Sequence, residues 1–414
     1  MTNLAVVFPG QASQYVGMGK ELYHDNIMVQ ELFTEASEIL GYDLADLCFN
    51  GPSQKLNLTE YTQPAVLTMS VAMYQLLKDK KGFSPSYLAG HSIGEISALT
   101  ASGVLSFKDA IHIAKARGEA MAACDPDQVT GMSAVTKLDV DMVDKSISSL
   151  ENVQIANINS PLQTVISGKK DSLRKAEEIL ISLGAKIIPL NVSGAFHSQF
   201  MTTALEPLAI AMENVHFNEF QIPVVRGDTG QLYKDKNEVK DILLNQLIKP
   251  VYWTKVCGKL SELNVTHLIE SGPKDVLKNL ALNSINNFEA LSYDFEEDHK
   301  SILTILESLY LKPNLIGLCL GAAVSTKNTN WDEEEYKNGV IAPYKEIEKY
   351  YLNINKENRQ PTKDEMKACL VLLRKIFNTK NVPISEQEIR LHSILTKNNQ
   401  ENLLTEFSLE VISG

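Results

Sequence analysis

The pentapeptide Gly90-His91-Ser92-Ile93-Gly94 constrains this chain more than any other stretch. Tyr87-Leu88-Ala89 before it reads as the end of a buried strand, and Glu95-Ile96-Ser97-Ala98-Leu99 after it opens a helix. A G-x-S-x-G between strand and helix is the setting of a nucleophile elbow, with Ser92 on the tight turn. Neither flanking glycine carries a Cβ, so the backbone turns sharply and the helix approaches the strand closely. The serine hydroxyl is then exposed above the sheet edge, at the positive end of a helix. The expected fold class is α/β, built on a parallel sheet.

Glycine and serine are common enough that the pentapeptide arises by chance in about one chain of this length in ten. Three further sites add to it. An apolar run from Leu4 to Phe8 reads as a parallel strand, and Pro9-Gly10-Gln11-Ala12-Ser13-Gln14 follows it. In a doubly wound sheet both this loop and the elbow lie at the carboxyl ends of strands, where ligands bind. The Gln11 and Ile93 N–H groups are there suited to an oxyanion hole. Taken alone, Gly10-Gln11 is a strand-ending turn.

His197 stands at the end of the strand-like Lys186-Ile187-Ile188-Pro189-Leu190, after the small-residue loop Ser193-Gly194-Ala195. Its unperturbed pKa suits proton transfer near neutrality. Any one of the eight histidines is by default a surface or satisfied core residue, and His91, next to Ser92, is read as structural. Arg117 lies on a helical stretch with apolar Ile111, Ala114 and Met121. An arginine there snorkels to water by default. Facing a cleft, its planar fork instead holds a carboxylate with two charge-assisted bonds and selects a dicarboxylic acyl group.

With these residues in place, the chain resembles malonyl-CoA:acyl carrier protein transacylases and the acyltransferase domains of polyketide synthases. The matching blocks, in order, are Gly10-Gln11-Ala12-Ser13-Gln14, Gly90-His91-Ser92-Ile93-Gly94-Glu95, Arg117-Gly118, Asn157-Ile158-Asn159-Ser160-Pro161, Gly194-Ala195-Phe196-His197-Ser198, Gln246 with Pro250-Val251-Tyr252-Trp253, and Glu270-Ser271-Gly272-Pro273. The resemblance implies Ser92 as acyl-accepting nucleophile, His197 as base, Arg117 as clamp on the malonyl carboxylate, and Gln11 with Ile93 as oxyanion donors. It implies that Gln246 orients His197 through its backbone carbonyl, where a serine protease uses aspartate. Malonyl-selective members tend to have an aliphatic residue after the nucleophile and Ala-Phe-His at the base, as Ile93 and Ala195-Phe196-His197 do here. Methylmalonyl-selective relatives more often carry Gln and a Ser-His pairing.

Two places depart from the pattern. Val225-Arg226-Gly227-Asp228-Thr229 stands where an Asn-containing turn is usual, and is read as a turn. Lys274 follows Gly272-Pro273 where glycine is common.

The resemblance implies ping-pong transfer from malonyl-CoA to the phosphopantetheine thiol of an acyl carrier protein. No metal and no permanently bound cofactor are expected, since the phosphopantetheine belongs to the partner. The five cysteines, Cys48, Cys124, Cys257, Cys319 and Cys369, are scattered and odd in number, which fits a reducing cytoplasm. No apolar run reaches transmembrane length and no signal peptide is evident, so a cytoplasmic protein without membrane or nucleic-acid partners is expected, with its oligomeric state, a monomer among the options, left open.

From about Gln128 to Leu190 the pattern becomes strand, helix, strand, strand, helix, strand, the order of a ferredoxin-like unit. It is expected to be inserted in the larger hydrolase-like subdomain, with residues 1–311 forming the acyltransferase domain. Residues 312–414, from Lys312-Pro313 onward, form a helical extension with 14 Lys and Arg against 14 Asp and Glu, so the net charge of −12 belongs to residues 1–311. Acidity of that kind argues against nucleic acid. Within the extension, Thr362-x-x-Glu365 and Ser385-x-x-Glu388 read as capping boxes, and Met366, Cys369, Leu370, Leu373 and Phe377 as an apolar stripe. Leu315 to Val324 and Asn330 to Tyr336 are expected to pack against the catalytic domain.

Two other functions fit the same residues. An editing hydrolase would strip acyl groups from carrier proteins, but neutral acyl chains give Arg117 no counter-charge. An inactive carrier-protein docking protein would have no need of Ser92, His197, Gln11 and Arg117 together.

Overall fold

The computed structural model describes residues 3–284, 288–310, 315–357, 359 and 361–396. The chain divides into two units, Met1–Leu306 and Glu307–Gly414.

The first unit opens with strand β1 (Leu4–Phe8), helix α1 (Thr59–Lys78), strand β2 (Tyr87–Gly90) and helices α2 (Ile93–Ala101) and α3 (Phe107–Ala122). The chain then runs through β3 (Thr130–Thr136), α4 (Val140–Ile147), β4 (Val153–Ser160), β5 (Gln163–Lys169), α5 (Lys170–Ser182) and β6 (Lys186–Pro189). It returns with β7 (Val224–Val225), α6 (Val239–Gln246), β8 (Val251–Tyr252), β9 (His267–Glu270), β10 (Glu289–Ser292) and α7 (Glu296–Tyr310), the helix within which the division between the units falls.

The larger sheet has the order β10-β9-β1-β2-β7, and every neighbouring pair is parallel. Its central strand is apolar throughout because both faces are covered. Alternate side chains point to opposite faces, so Val6, Phe8, Leu88 and Val224 enter one core while Ala5, Val7, Ala89 and Val225 enter another. Helix α1 is buried on nearly every side, which explains why its sequence lacks a polar face.

The smaller sheet has the order β6-β3-β5-β4-β8. Its first four strands are antiparallel and, with α4 and α5, make the ferredoxin-like β-α-β-β-α-β arrangement. One face packs on its own helices through Val135, Ile166, Val143, Leu173 and Leu180. The other presents Met132, Ala134, Ala156 and Val165 to the core of the larger subdomain. The two-residue β8, contributed from beyond the insertion, adds in parallel to β4 through Asn157 opposite Val251 and Ile158 opposite Tyr252.

The second unit is helical: α8 (Leu315–Ser325), α9 (Ala342–Glu357), α10 (Lys363–Thr379) and α11 (Ile384–Thr396). Cys369, Leu370, Leu373 and Phe377 are buried together, and Leu315, Ile316, Cys319 and Ala323 join them, so the apolar block of α8 serves the core of its own unit. The Thr362–Glu365 capping box forms. The one read at Ser385 does not. Helix α11 starts at Ile384, and the Pro383 carbonyl accepts from the N–H groups of Glu386 and Gln387, which leaves Ser385 inside the first turn. Lys312-Pro313 lies outside the described residues.

Candidate active site

Ser92 joins β2 to α2 at φ 55° and ψ −115°, a conformation that costs a non-glycine residue of order 1–3 kcal/mol. Both flanking glycines are sterically required. A Cβ on Gly90 would stand 1.9 Å from the Gly94 carbonyl oxygen, and one on Gly94 would stand 2.1 Å from that of Phe8. The elbow is thus pressed against its own strand and against β1, and Ser92 has little freedom to move.

His197 follows β6 in a loop of buried residues and also has positive φ, 56°. Its backbone is held from two sides of the insertion. The Asp125 carboxylate accepts from the N–H and hydroxyl of Thr130, whose Oγ1 accepts from the Ala195 N–H at 2.9 Å. The His197 ring lies with Nδ1 2.8 Å from the Gln246 carbonyl oxygen and Nε2 2.8 Å from Ser92 Oγ. A carbonyl only accepts, so Nδ1 carries the proton and Nε2 offers its lone pair to the serine hydroxyl. Burial, and then the positive charge of Arg117, bring the imidazole down to about 3, so the ring is neutral at physiological pH.

Arg117 on α3 is fully buried, at 1% exposure. Its Nη1 donates to Gln63 Oε1 at 2.8 Å, and its Nη2 donates to Gln246 Oε1 at 2.8 Å and to Ser92 Oγ at 3.2 Å. All three partners are neutral, and the guanidinium Nε has none. Burial brings the guanidinium down to about 10, with Glu95 pulling the other way, so it remains a cation.

Glu95 lies in the first turn of α2 and is wholly buried. Its carboxyl accepts from Tyr233 Oη at 2.7 Å and from Gln246 Nε2 at 2.6 Å. Burial pushes it up to about 7 against the effect of these two donors.

A cavity of about 490 Å³ opens on these groups and is lined by Gln11, Ser92, Ile93, Arg117, Phe196 and His197 among others. The Gln11 side chain donates to Thr59 Oγ1, and a Cβ on Gly10 would stand 2.8 Å from the His91 carbonyl oxygen, so the loop after β1 lies directly against the elbow. Lys274, where glycine is common, takes φ 63° and also lines the cavity, with Nζ donating to the Ala12 carbonyl. His91 turns its Nε2 to Asn159 Oδ1, with its ring against Trp253. Arg226-Gly227-Asp228 is a turn after β7, closed by a two-pronged Arg226–Asp228 pair.

Of the residues picked out in the sequence, Ser92, His197, Arg117 and Gln246 meet in one hydrogen-bonded cluster, and Gln11 and Ile93 share the cavity wall. Gln63, Tyr233 and the part played by Glu95 were not foreseen. The available signal was a single carboxylate in the apolar run Ile93-Gly94-Glu95-Ile96-Ser97-Ala98-Leu99, since an unpaired charge is almost never fully buried.

The acyl transferase domain family model matches residues 5–278. A malonyl CoA-acyl carrier protein transacylase of Bacillus subtilis is 32% identical over 402 residues, covering 94% of this chain and 99% of that protein. A second, from Bacillus subtilis strain 168, is 40% identical over 285 residues, covering 68% of this chain and 90% of that protein. Among solved structures, a malonyl-transacylase in complex with its type II PKS acyl-carrier protein is 37% identical, with a TM-score of 0.70 over 74% of this chain and all of that one. The chain belongs to the acyl transferase domain family, among the malonyl CoA-acyl carrier protein transacylases.

Proposed function

We propose that the protein transfers a malonyl group from malonyl-CoA to the phosphopantetheine thiol of an acyl carrier protein, through a malonyl ester on Ser92. The observation that carries this reading is the Ser92 hydroxyl held between His197 Nε2 at 2.8 Å and Arg117 Nη2 at 3.2 Å. A base and a buried cation with only neutral partners converge on one nucleophile.

His197 takes the hydroxyl proton as Ser92 Oγ attacks the thioester carbonyl. The N–H groups of Gln11 and Ile93 receive the negative charge on the carbonyl oxygen. When the tetrahedral intermediate collapses, the C–S bond breaks and the His197 proton leaves with CoA. In the second half the carrier thiol gives its proton to His197 and attacks the ester carbonyl, and the proton returns to Ser92 as the acyl group departs. The malonyl carboxylate sits on Arg117, which also bears on the base. Arg117 holds His197 down by its charge, so a bound carboxylate that offsets this charge makes His197 a stronger base. Ile93 and Phe196 narrow the cavity wall beside the acyl group, and discrimination against one extra methyl is worth about 1–3 kcal/mol.

Fatty acid and polyketide synthesis both use this transfer. No helix among the described residues is long and apolar enough to cross a membrane, and the proposed place of action is the cytoplasm. An editing hydrolase is disfavoured because a neutral acyl chain would leave the Arg117 cation buried without an anion. The test is intact-protein mass spectrometry with malonyl-CoA, followed by a phosphopantetheinylated carrier protein. A malonyl adduct that forms and then moves to the carrier supports the proposal, and an adduct released only to water favours hydrolysis.

A further inference from the structure

Glu95 is a buried carboxylate for which the transfer steps have no use, and it lies two hydrogen bonds behind the arginine, across the Gln246 side chain. Gln246 serves the site with three different atoms. Its backbone oxygen accepts from His197 Nδ1–H, and its side-chain oxygen accepts from Arg117 Nη2. The same side chain turns its amide nitrogen to Glu95 Oε2 at 2.6 Å and to the Ser92 carbonyl at a longer 3.3 Å. The carboxylate is itself steadied by Tyr233 Oη, from the segment between β7 and α6. The guanidinium therefore hangs between two amide oxygens, those of Gln63 and Gln246, and Glu95 supplies the shorter of the two holds on the second amide.

We propose that Glu95 is a positioning residue for acyl selection: through the side-chain amide of Gln246, it holds the Arg117 guanidinium at the Ser92 hydroxyl in the orientation that receives a carboxylate. This rests on the malonyl-transfer reading and deepens it. Because the base is oriented by the Gln246 backbone, loosening the side chain slackens the acid clamp and leaves His197 in place. The consequence falls on the choice between malonyl and acetyl groups. Loss of charge on Arg117 cannot produce it, because the guanidinium stays cationic well above neutrality. A purely electrostatic role for Glu95 has the opposite sign, since removing an anion from the site would favour an incoming carboxylate.

The test uses the full chain at pH 8, with initial rates of Ser92 acylation from malonyl-CoA and from acetyl-CoA followed by intact mass. Glu95→Met removes the acceptor and the charge, and Glu95→Gln removes the charge but keeps an acceptor oxygen. Losing a hydrogen bond of this strength predicts a fall of about tenfold in the malonyl-to-acetyl ratio for Glu95→Met. For Glu95→Gln, the retained acceptor predicts a ratio within about threefold of the parent. Should the orphaned Tyr233 hydroxyl unfold Glu95→Met, the double variant with Tyr233→Phe carries the same prediction. A ratio that is unchanged or raised by Glu95→Met overturns the proposal, as does an equal fall for both substrates. A parent protein that shows no malonyl preference overturns the malonyl-transfer reading itself, so the two failures are distinguishable.

Discussion

Arg117 Nη2 donates to Ser92 Oγ at 3.2 Å, so the group that would select the acyl chain touches the atom that would receive it. Charge selection and attack are then coupled: a carboxylate that reaches Arg117 brings its thioester carbonyl to the serine. With His197 on the same oxygen, the hydroxyl accepts from one neighbour and donates to the other, which fixes its proton on the line to the base.

Replacing Ser92 with alanine is expected to abolish covalent malonylation. The substitution preserves the backbone requirement, since alanine meets the same strain as serine at φ 55°, so the fold should survive. Intact mass after incubation with malonyl-CoA reads the outcome. A persistent malonyl adduct on the variant would mean that the acyl acceptor lies elsewhere.

Arg117→Ala is expected to lower malonyl transfer by roughly 2–5 kcal/mol, because the malonyl carboxylate is then desolvated without its partner. Acetyl transfer should fall much less, so the preference between the two shifts toward acetyl. Competition between malonyl-CoA and acetyl-CoA measures this, and an unchanged preference would remove Arg117 from acyl selection.

The state of His197 predicts the pH profile. With its imidazole held down to about 3, the base is already neutral throughout the range from pH 5 to 7, and acylation by malonyl-CoA at low substrate should show no inflection near 6.5. The positive charge of Arg117 is the second cause of that depression, after burial. In Arg117→Ala the imidazole should rise, and an acid limb should move up toward the assayed range. Single-turnover rates between pH 4.5 and 7.5 test both statements, and an inflection near 6.5 that persists when Glu95, itself raised to about 7, is replaced by glutamine would show that His197 is not desolvated in the working enzyme.

Two buried carboxyls set the pH dependence of stability. Glu95 and Glu270 ionise near 4.5 when exposed, and burial raises them to about 7 and about 8. Between these limits the native state binds more protons than the unfolded one, so stability present below about 4.5 is lost as pH rises through 7 and 8. His197 has the other sign: lowered from 6.5, it contributes fully above 6.5 and loses its contribution as pH falls toward 3. Above pH 6.5 the His197 contribution is constant, and the buried thiols of Cys48 and Cys257, raised by burial, add a smaller loss of the same sign as the carboxyls. Denaturant unfolding should therefore show a loss on the order of 2 kcal/mol between pH 6.5 and 8.5, and a gain over that interval would mean that both groups are already ionised in the native protein at pH 6.5.

The elbow was legible in the sequence because its requirements are local: two glycines, a strand before, a helix after. The strands β1 and β2 were legible as apolar runs for the same reason. The two-residue β7 and β8 were not, since pairing with a distant strand is all that defines them. Ser385 misled because a capping pattern says nothing of the proline two residues before it. Gln63 and Tyr233 carry no local pattern and gain their roles only when α1 and the segment after β7 are brought against Arg117 and Glu95.

The last prediction concerns residues 312–414. Ser92, His197, Arg117, Gln246, Gln11 and Ile93 all lie in the unit Met1–Leu306, and the helical unit has a buried cluster of its own running from Leu315 to Leu395. The strain 168 relative is covered over 90% of its length by a match to only 68% of this chain, whereas the longer Bacillus relative matches 94% of it. A protein ending at residue 311 keeps α7 whole and is expected to malonylate Ser92 at close to the full rate. Transfer to the cognate carrier protein is where a loss is expected. Carrier proteins of such systems are typically acidic, and residues 1–311 bear 25 Lys and Arg against 37 Asp and Glu, while the extension is neutral. A neutral surface repels an acidic partner less than the catalytic body does, so losing it should raise the KM for the carrier and make that KM more sensitive to salt. Equal transfer to every carrier tested would rule out a docking role. A truncated protein that self-acylates but aggregates would instead assign the extension to covering an apolar surface, and one that fails to acylate at all would show that the catalytic unit does not end where its motifs do.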